Sequence, residues 1–232
     1  MGDIKNLKLE YQAKKDKIKE RLGQFERFFN EPYSWHYVSN EMKLLPVETE
    51  EDYRIFEELC FCIFTANASA EMGMKAVDAV RNVIITGTAK DMTRRLEGIY
   101  RFVNLRPAYI VHTRNYLQNT LNFLLKEKIN SFKNTDELRD FFAVNKGIKG
   151  LGYKEASHFL RNIGFKGYAI LDKHIINSLH EFGVLKNNEK PKNRQEYLEM
   201  EKLFKNFSSN VGIDMDELDL LLWSRKNGRI LK

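Results

Sequence analysis

The chain has 232 residues, a length that suits one large domain or two small ones sharing a core. Hydrophobic residues at 43% and charged residues at 30%, with 16 Phe, 10 Tyr and 2 Trp, suffice to build that core and exclude wholesale disorder and repeat arrays. The 38 basic against 32 acidic side chains leave a net charge of +6, which permits a polyanionic partner such as nucleic acid without requiring one.

With only 4 prolines in the chain and apolar residues recurring every three or four positions, the periodicity is helical almost throughout, and an all-α fold is expected. From about Ile4 to Phe29 the pattern describes an exposed, charge-laced helix, with no apolar signal-peptide core before it. Pro32 to Val47 is less regular and aromatic, either loop or short strand. A strongly apolar helix covers about Tyr53 to Phe64, and Thr65, Ala66, Asn67, Ala68 and Ser69 interrupt it with residues suited to caps and turns, so that a new helix starts near Ser69 or Ala70. Further helices are expected at about 91–98, 107–125, 135–146, 153–163, 173–182, 193–207 and 214–226, with KNNEKPKNRQ at 186–195 as a surface loop.

The longest apolar runs, such as CFCIF at 60–64, fall far short of the ~20 residues of a membrane span, and the expectation is a soluble, cytoplasmic protein. Cys60 and Cys62 stand too close together for an unstrained disulfide and fit a reducing compartment. Two cysteines cannot ligate a four-cysteine iron-sulfur cluster, and His36, His112, His158, His174 and His180 show no zinc spacing. Neither a metal nor any other cofactor is expected.

Chemistry concentrates in about thirty residues. GIKGLG at 147–152 joins two expected helices: Gly147, Gly150 and Gly152 permit positive φ and close approach of a ligand, and Leu151 supplies an apolar peg. This is a helix-hairpin-helix pattern, whose amides at the start of the second helix suit a DNA phosphate. Lys154 stands in the first turn of that helix, where the macrodipole disfavours a cation by about 0.3 to 1 kcal/mol unless a phosphate compensates. The neutral form of an amine is the nucleophile that makes Schiff bases. Asp172, eighteen residues on in AILDKHI, is a natural N-cap for the next helix and equally a carboxylate able to stabilise positive charge on a sugar. His174 is placed to reach a neighbouring phosphate.

KGLGYKEASHFLRNIG followed by AILDKHI resembles the helix-hairpin-helix DNA glycosylase superfamily, with Lys154 at its lysine and Asp172 at its aspartate position. ELCFCIFTANASAE at 58–71, YRFVNLRPAYIV at 100–111 and LDLLLWSRKNGRILK at the C-terminus narrow the resemblance to the archaeal-type (type 2) 8-oxoguanine DNA glycosylases/AP lyases, over about residues 50–232. The first 45 or so residues are longer than the family's usual beginning.

The resemblance implies two helical lobes with a cleft between them. One is expected to be built from residues 1–66 and 184–232, the other from 67–183 with the hairpin at about 135–165. It implies base flipping in double-stranded DNA, attack by Lys154 on C1′ of 8-oxoguanosine, a Schiff base that permits β-elimination, and Asp172 stabilising the oxocarbenium charge. Asn67 would enter the stack or bond the orphaned cytosine, or else cap a helix. Phe102 would wedge beside that cytosine between Arg101 and Arg106, or else pack in the core. Gly150 and Gly152 would hold the backbone. Trp223 would stack on the flipped base, and the terminal carboxylate of Lys232 would read the hydrogen on N7 that guanine lacks. The implied protein is a monomer acting at a prokaryotic nucleoid. Two alternatives stay open: a noncatalytic helix-hairpin-helix DNA-binding module, and a glycosylase for another damaged base.

Overall fold

The computed structural model describes residues 2–226 and 228–232. Its elements in chain order are α1 (Ile4–Asn30), β1 (Tyr33–Val38), β2 (Glu41–Pro46), α2 (Glu51–Thr65), α3 (Ala70–Val80), a 3-10 turn (Arg81–Val83), α4 (Ala89–Leu96), α5 (Leu105–Leu121), α6 (Leu125–Asn130), α7 (Thr135–Ala143), α8 (Tyr153–Asn162), α9 (Lys173–Glu181), α10 (Arg194–Val211) and α11 (Met215–Ser224). The fold is helical, as expected, with one small two-stranded sheet. The aromatic stretch after α1 forms an antiparallel hairpin in which Trp35 faces Leu44. Its turn, Ser39 and Asn40, has both residues at positive φ, which matches the twist of a tight hairpin.

The chain divides into two compact units, Met1–Glu26 with Gly164–Lys232, and Arg27–Ile163. The boundaries thus fall inside α1 and just after α8, away from the 66/67 and 183/184 positions expected from the sequence. The causes are local. Arg54 ties the hairpin to α2 by donating to the Phe28 and Tyr33 carbonyls at 2.8 and 2.7 Å. Asn162 at the end of α8 donates to Glu58 on α2 at 2.7 Å, so the helix-hairpin-helix stays with the hairpin and α2.

In the Arg27–Ile163 unit, α2 is the axis: Ile55, Phe56, Leu59, Cys60, Phe61, Cys62, Ile63 and Phe64 are all buried. Cys60 and Cys62 are free thiols, and burial pushes the Cys60 thiol well above its usual range, which keeps it inert. Leu138, Phe142, Phe159 and Leu160 fill the space between α7 and α8, with the Phe142 and Phe159 rings 4.8 Å apart. In the unit of chain ends, α1 departs from the exposed helix expected. Leu7, Tyr11, Ile18 and Phe25 form a buried stripe at intervals of four and seven residues beneath the charged face.

Phe159 is fully buried, so Phe159→Ala is expected to destabilise the protein by about 3 to 5 kcal/mol, transfer and cavity terms together. Urea unfolding measures this; a loss below about 1 kcal/mol would contradict the packing described.

Candidate active site

The helix-hairpin-helix is shaped by side chains of α5 and by its own asparagine. The Asn145 side chain accepts from the Gly147 amide at 2.9 Å and donates to the Tyr116 hydroxyl at 2.9 Å, and Thr113 Oγ1 accepts from the Lys149 amide at 2.9 Å. Ile148 and Leu151 are buried, so the expected apolar peg is in place. Gly150 has φ +87°, and a Cβ there would lie 2.8 Å from Tyr109 Cδ2; both the conformation and the space demand glycine.

Gly152 is the N-cap of α8, and its amide donates to Glu155 Oε2 at 3.2 Å. The other oxygen of the same carboxylate, Oε1, lies 3.3 Å from Lys154 Nζ. The Lys154 side chain, 26% exposed, is thus half sheltered and held at the head of α8. Glu155 was not singled out in the sequence, although acidic residues at the third helical position commonly reach back to the cap.

The α2–α3 turn and the start of α5 bring four expected DNA-contacting residues together. Asn67 is exposed at φ +61°. The helix cap belongs instead to Ser69, whose hydroxyl accepts from the Met72 amide at 3.1 Å, so capping does not account for Asn67. Arg101 donates to the Asn67 carbonyl and lies over the half-buried Phe102 ring, 4.4 Å from its centroid. Arg106, the second expected DNA contact, is 7% exposed, donates to the Ala66 carbonyl at 2.9 Å, and lies over Phe102 and Tyr109. It holds the turn and the aromatic ring from behind. Gly150 adjoins the same arginine, since its Cβ position would be 3.6 Å from Arg106 Nη1.

In the unit of chain ends the segment leading to residue 172 runs outside helix and strand, and its amides are taken up by side chains of α10 and α11. Gly167 donates to both Asp216 oxygens at 3.1 Å, Ala169 to Glu201 at 2.8 Å, Ile170 to Asp219 at 3.1 Å and Leu171 to the Tyr197 hydroxyl at 3.3 Å. Satisfying amides that would otherwise be buried without acceptors fixes the path of the strap.

Asp172 then caps α9, its Oδ1 accepting from the His174 and Ile175 amides at 2.7 and 2.9 Å. Its Oδ2 accepts from Trp223 Nε1 at 3.1 Å. The candidate catalytic carboxylate and base-stacking ring are therefore directly joined, and both remain partly exposed. His174 is the second residue of α9 and half-buried. The C-terminal tail is packed rather than solvated: Leu231 is 9% and Lys232 3% exposed. Lys154 belongs to one unit and Asp172, Trp223, His174 and Lys232 to the other. Among the described residues, no group of three or more His, Cys, Asp or Glu side chains is arranged to hold a metal ion.

Trp223→Phe keeps an aromatic ring and removes the donor to Asp172. A charge-assisted bond at a partly exposed site contributes about 1 kcal/mol, so a loss of that order is expected in urea unfolding. A variant as stable as the parent would show that the indole does not hold the carboxylate.

The family model for 8-oxoguanine DNA glycosylase (Ogg-HhH) matches residues 38–213. The 8-oxoguanine DNA glycosylase/AP lyase of Korarchaeum cryptofilum is 38% identical over 194 residues, 83% of this chain and 90% of that protein. The one from Methanocaldococcus jannaschii is 35% identical over 219 residues, 94% and 93% of the two chains. The crystal structure of the M. jannaschii 8-oxoguanine glycosylase/lyase, solved in complex with a 15mer DNA containing 8-oxoguanine, superposes with a TM-score of 0.82 at 32% identity and covers 99% of each chain. The 8-oxoguanine DNA glycosylase of Thermotoga maritima gives a TM-score of 0.80 at 26% identity, covering 99% of this chain and 98% of its own. With its hairpin, its lysine at the head of α8 and these likenesses over nearly its whole length, the chain belongs to the 8-oxoguanine DNA glycosylase family.

Proposed function

We propose that this protein is a bifunctional DNA repair enzyme that acts as a monomer on double-stranded DNA, excising 8-oxoguanine and cleaving the resulting abasic strand. The observation that carries the reading is the hydrogen bond between Trp223 Nε1 and Asp172 Oδ2 at 3.1 Å. An N-glycosidic bond joins a flat base to a sugar. A partly exposed indole beside a carboxylate offers one partner for the base and another for the positive charge that develops on the sugar.

The unprotonated amine of Lys154 is the nucleophile. It forms a bond to C1′ while the C1′–N9 bond breaks and its electron pair leaves with the base, which takes up a proton. Glu155, whose Oε1 lies 3.3 Å from Nζ, is in place to accept the proton the amine sheds. Opening of the sugar ring gives a Schiff base. Loss of a C2′ proton then expels the 3′ phosphate by β-elimination, and water frees the lysine. Asp172 stabilises the oxocarbenium-like charge of the first step.

Base identity is read by the terminal carboxylate of Lys232, which attracts the N7 hydrogen of 8-oxoguanine and repels the N7 lone pair of guanine. Asn67, Arg101 and Phe102 occupy the space vacated by the flipped base, Arg106 supports them, and the hairpin backbone around Gly150 and Gly152, with His174, meets the phosphates.

Strand cleavage on a duplex carrying 8-oxoguanine opposite cytosine tests the reading. Lys154→Gln is expected to abolish excision. Asp172→Asn, which keeps the helix cap because Asn caps about as well as Asp, is expected to lower it by about 100-fold or more. Wild-type excision by either variant removes that residue from the mechanism. Cleavage confined to thymine glycol or uracil duplexes would replace 8-oxoguanine as the substrate.

A further inference from the structure

The N-terminal 26 residues have no part in the chemistry above, yet their buried face is directed at the segment that carries base recognition. Along α1, Glu10, Tyr11, Lys14 and Arg21 recur on the side of Leu7, Ile18 and Phe25. Each of the four bonds to α11 or to the tail beyond it. The Tyr11 hydroxyl donates to Glu217, and burial together with that bond pushes the phenol up to about 12. Lys14 Nζ donates to the fully buried Ser224 Oγ at 2.9 Å, and Glu10 pairs with Arg225 at 3.2 Å. Arg21 Nη2, one turn past Ile18, donates to the Ile230 carbonyl at 3.4 Å, two residues before the chain ends.

We propose that α1 is a positioning clamp for base recognition, in which Arg21 fixes the C-terminal tail so that the Lys232 carboxylate is presented rigidly to the lesion. This rests on the reading of the base by the terminus given above. A carboxylate on a free tail would meet the lesion in many orientations and lose both affinity and discrimination; a clamp removes that entropy before DNA arrives. The three contacts nearer the N-terminus secure α11 with Trp223, and Arg21 secures the tail itself. Excision, which needs the base to be read, should depend on the clamp. Lyase action on a preformed abasic site, where no base is present, should not.

Arg21→Met keeps the apolar stem and removes the donors. In the full-length protein without DNA, release of Lys232 by a carboxypeptidase specific for basic residues should speed up by about ten-fold or more, because local opening of the tail governs cleavage. Excision of 8-oxoguanine should fall by about ten-fold while nicking of an abasic duplex stays within about two-fold, and Arg21→Lys should regain most of the loss. A tail cleaved as slowly as in the parent, or parallel loss of both activities, overturns the clamp. A chain lacking Lys232 separates this proposal from its premise. If that chain excises 8-oxoguanine at the parental rate, the terminus does not read the base, whereas the carboxypeptidase rate still decides whether Arg21 holds the tail.

Discussion

Asp172 can serve as a catalytic group only if its carboxylate is delivered and held by a segment that has no regular structure of its own. The strap from Gly167 to Leu171 solves this with side chains: Asp216, Glu201, Asp219 and Tyr197 accept its amides one after another. Asp216 and Asp219 are themselves buried, and buried carboxylates are tolerated where backbone donors replace water. The acids of α10 and α11 therefore set the register of the strap. Asp172 then divides its oxygens between the α9 amides and the Trp223 indole. Capping and ring orientation both follow from one carboxylate whose position is decided on other helices.

The Arg27–Ile163 unit presents its lysine by a comparable device. Glu155 joins the Gly152 amide to the Lys154 amine, so the carboxylate that completes the α8 cap also holds the proposed nucleophile beside it. At the α2–α3 turn the same economy appears: Arg106 is withdrawn from the surface to hold the Ala66 carbonyl and the Phe102 ring, which leaves Asn67 and Arg101 outermost. In each case a charged partner, half-buried Glu155 in the first and buried Arg106 in the second, limits the motion of a group proposed to meet DNA.

What the sequence made legible was local. The glycines of 147–152, the helix start near Ser69, the cap at Asp172 and the lysine in the first turn of α8 are read from neighbours within a few positions, and the helices follow from periodicity. The hairpin at 33–46 is ambiguous in sequence because its turn is Ser39–Asn40 without glycine and its strands carry no clean alternation. The buried stripe of α1 was masked by the density of lysine and glutamate around Leu7, Tyr11, Ile18 and Phe25. Contacts across long separations were out of reach altogether: Trp223 to Asp172 spans 51 residues, and Arg21 to Ile230 spans 209. No one-dimensional spacing encodes those.

Everything proposed for this site depends on Lys154 forming a Schiff base with the damaged nucleotide. Incubating the protein with an 8-oxoguanine duplex in the presence of borohydride, followed by proteolysis and mass analysis of the cross-linked peptide, tests it directly. A reduced adduct on Lys154, within the peptide GYKEASHFLR or its neighbours, is the expected result. Absence of a covalent product during base release, or an adduct on another lysine, would contradict the account.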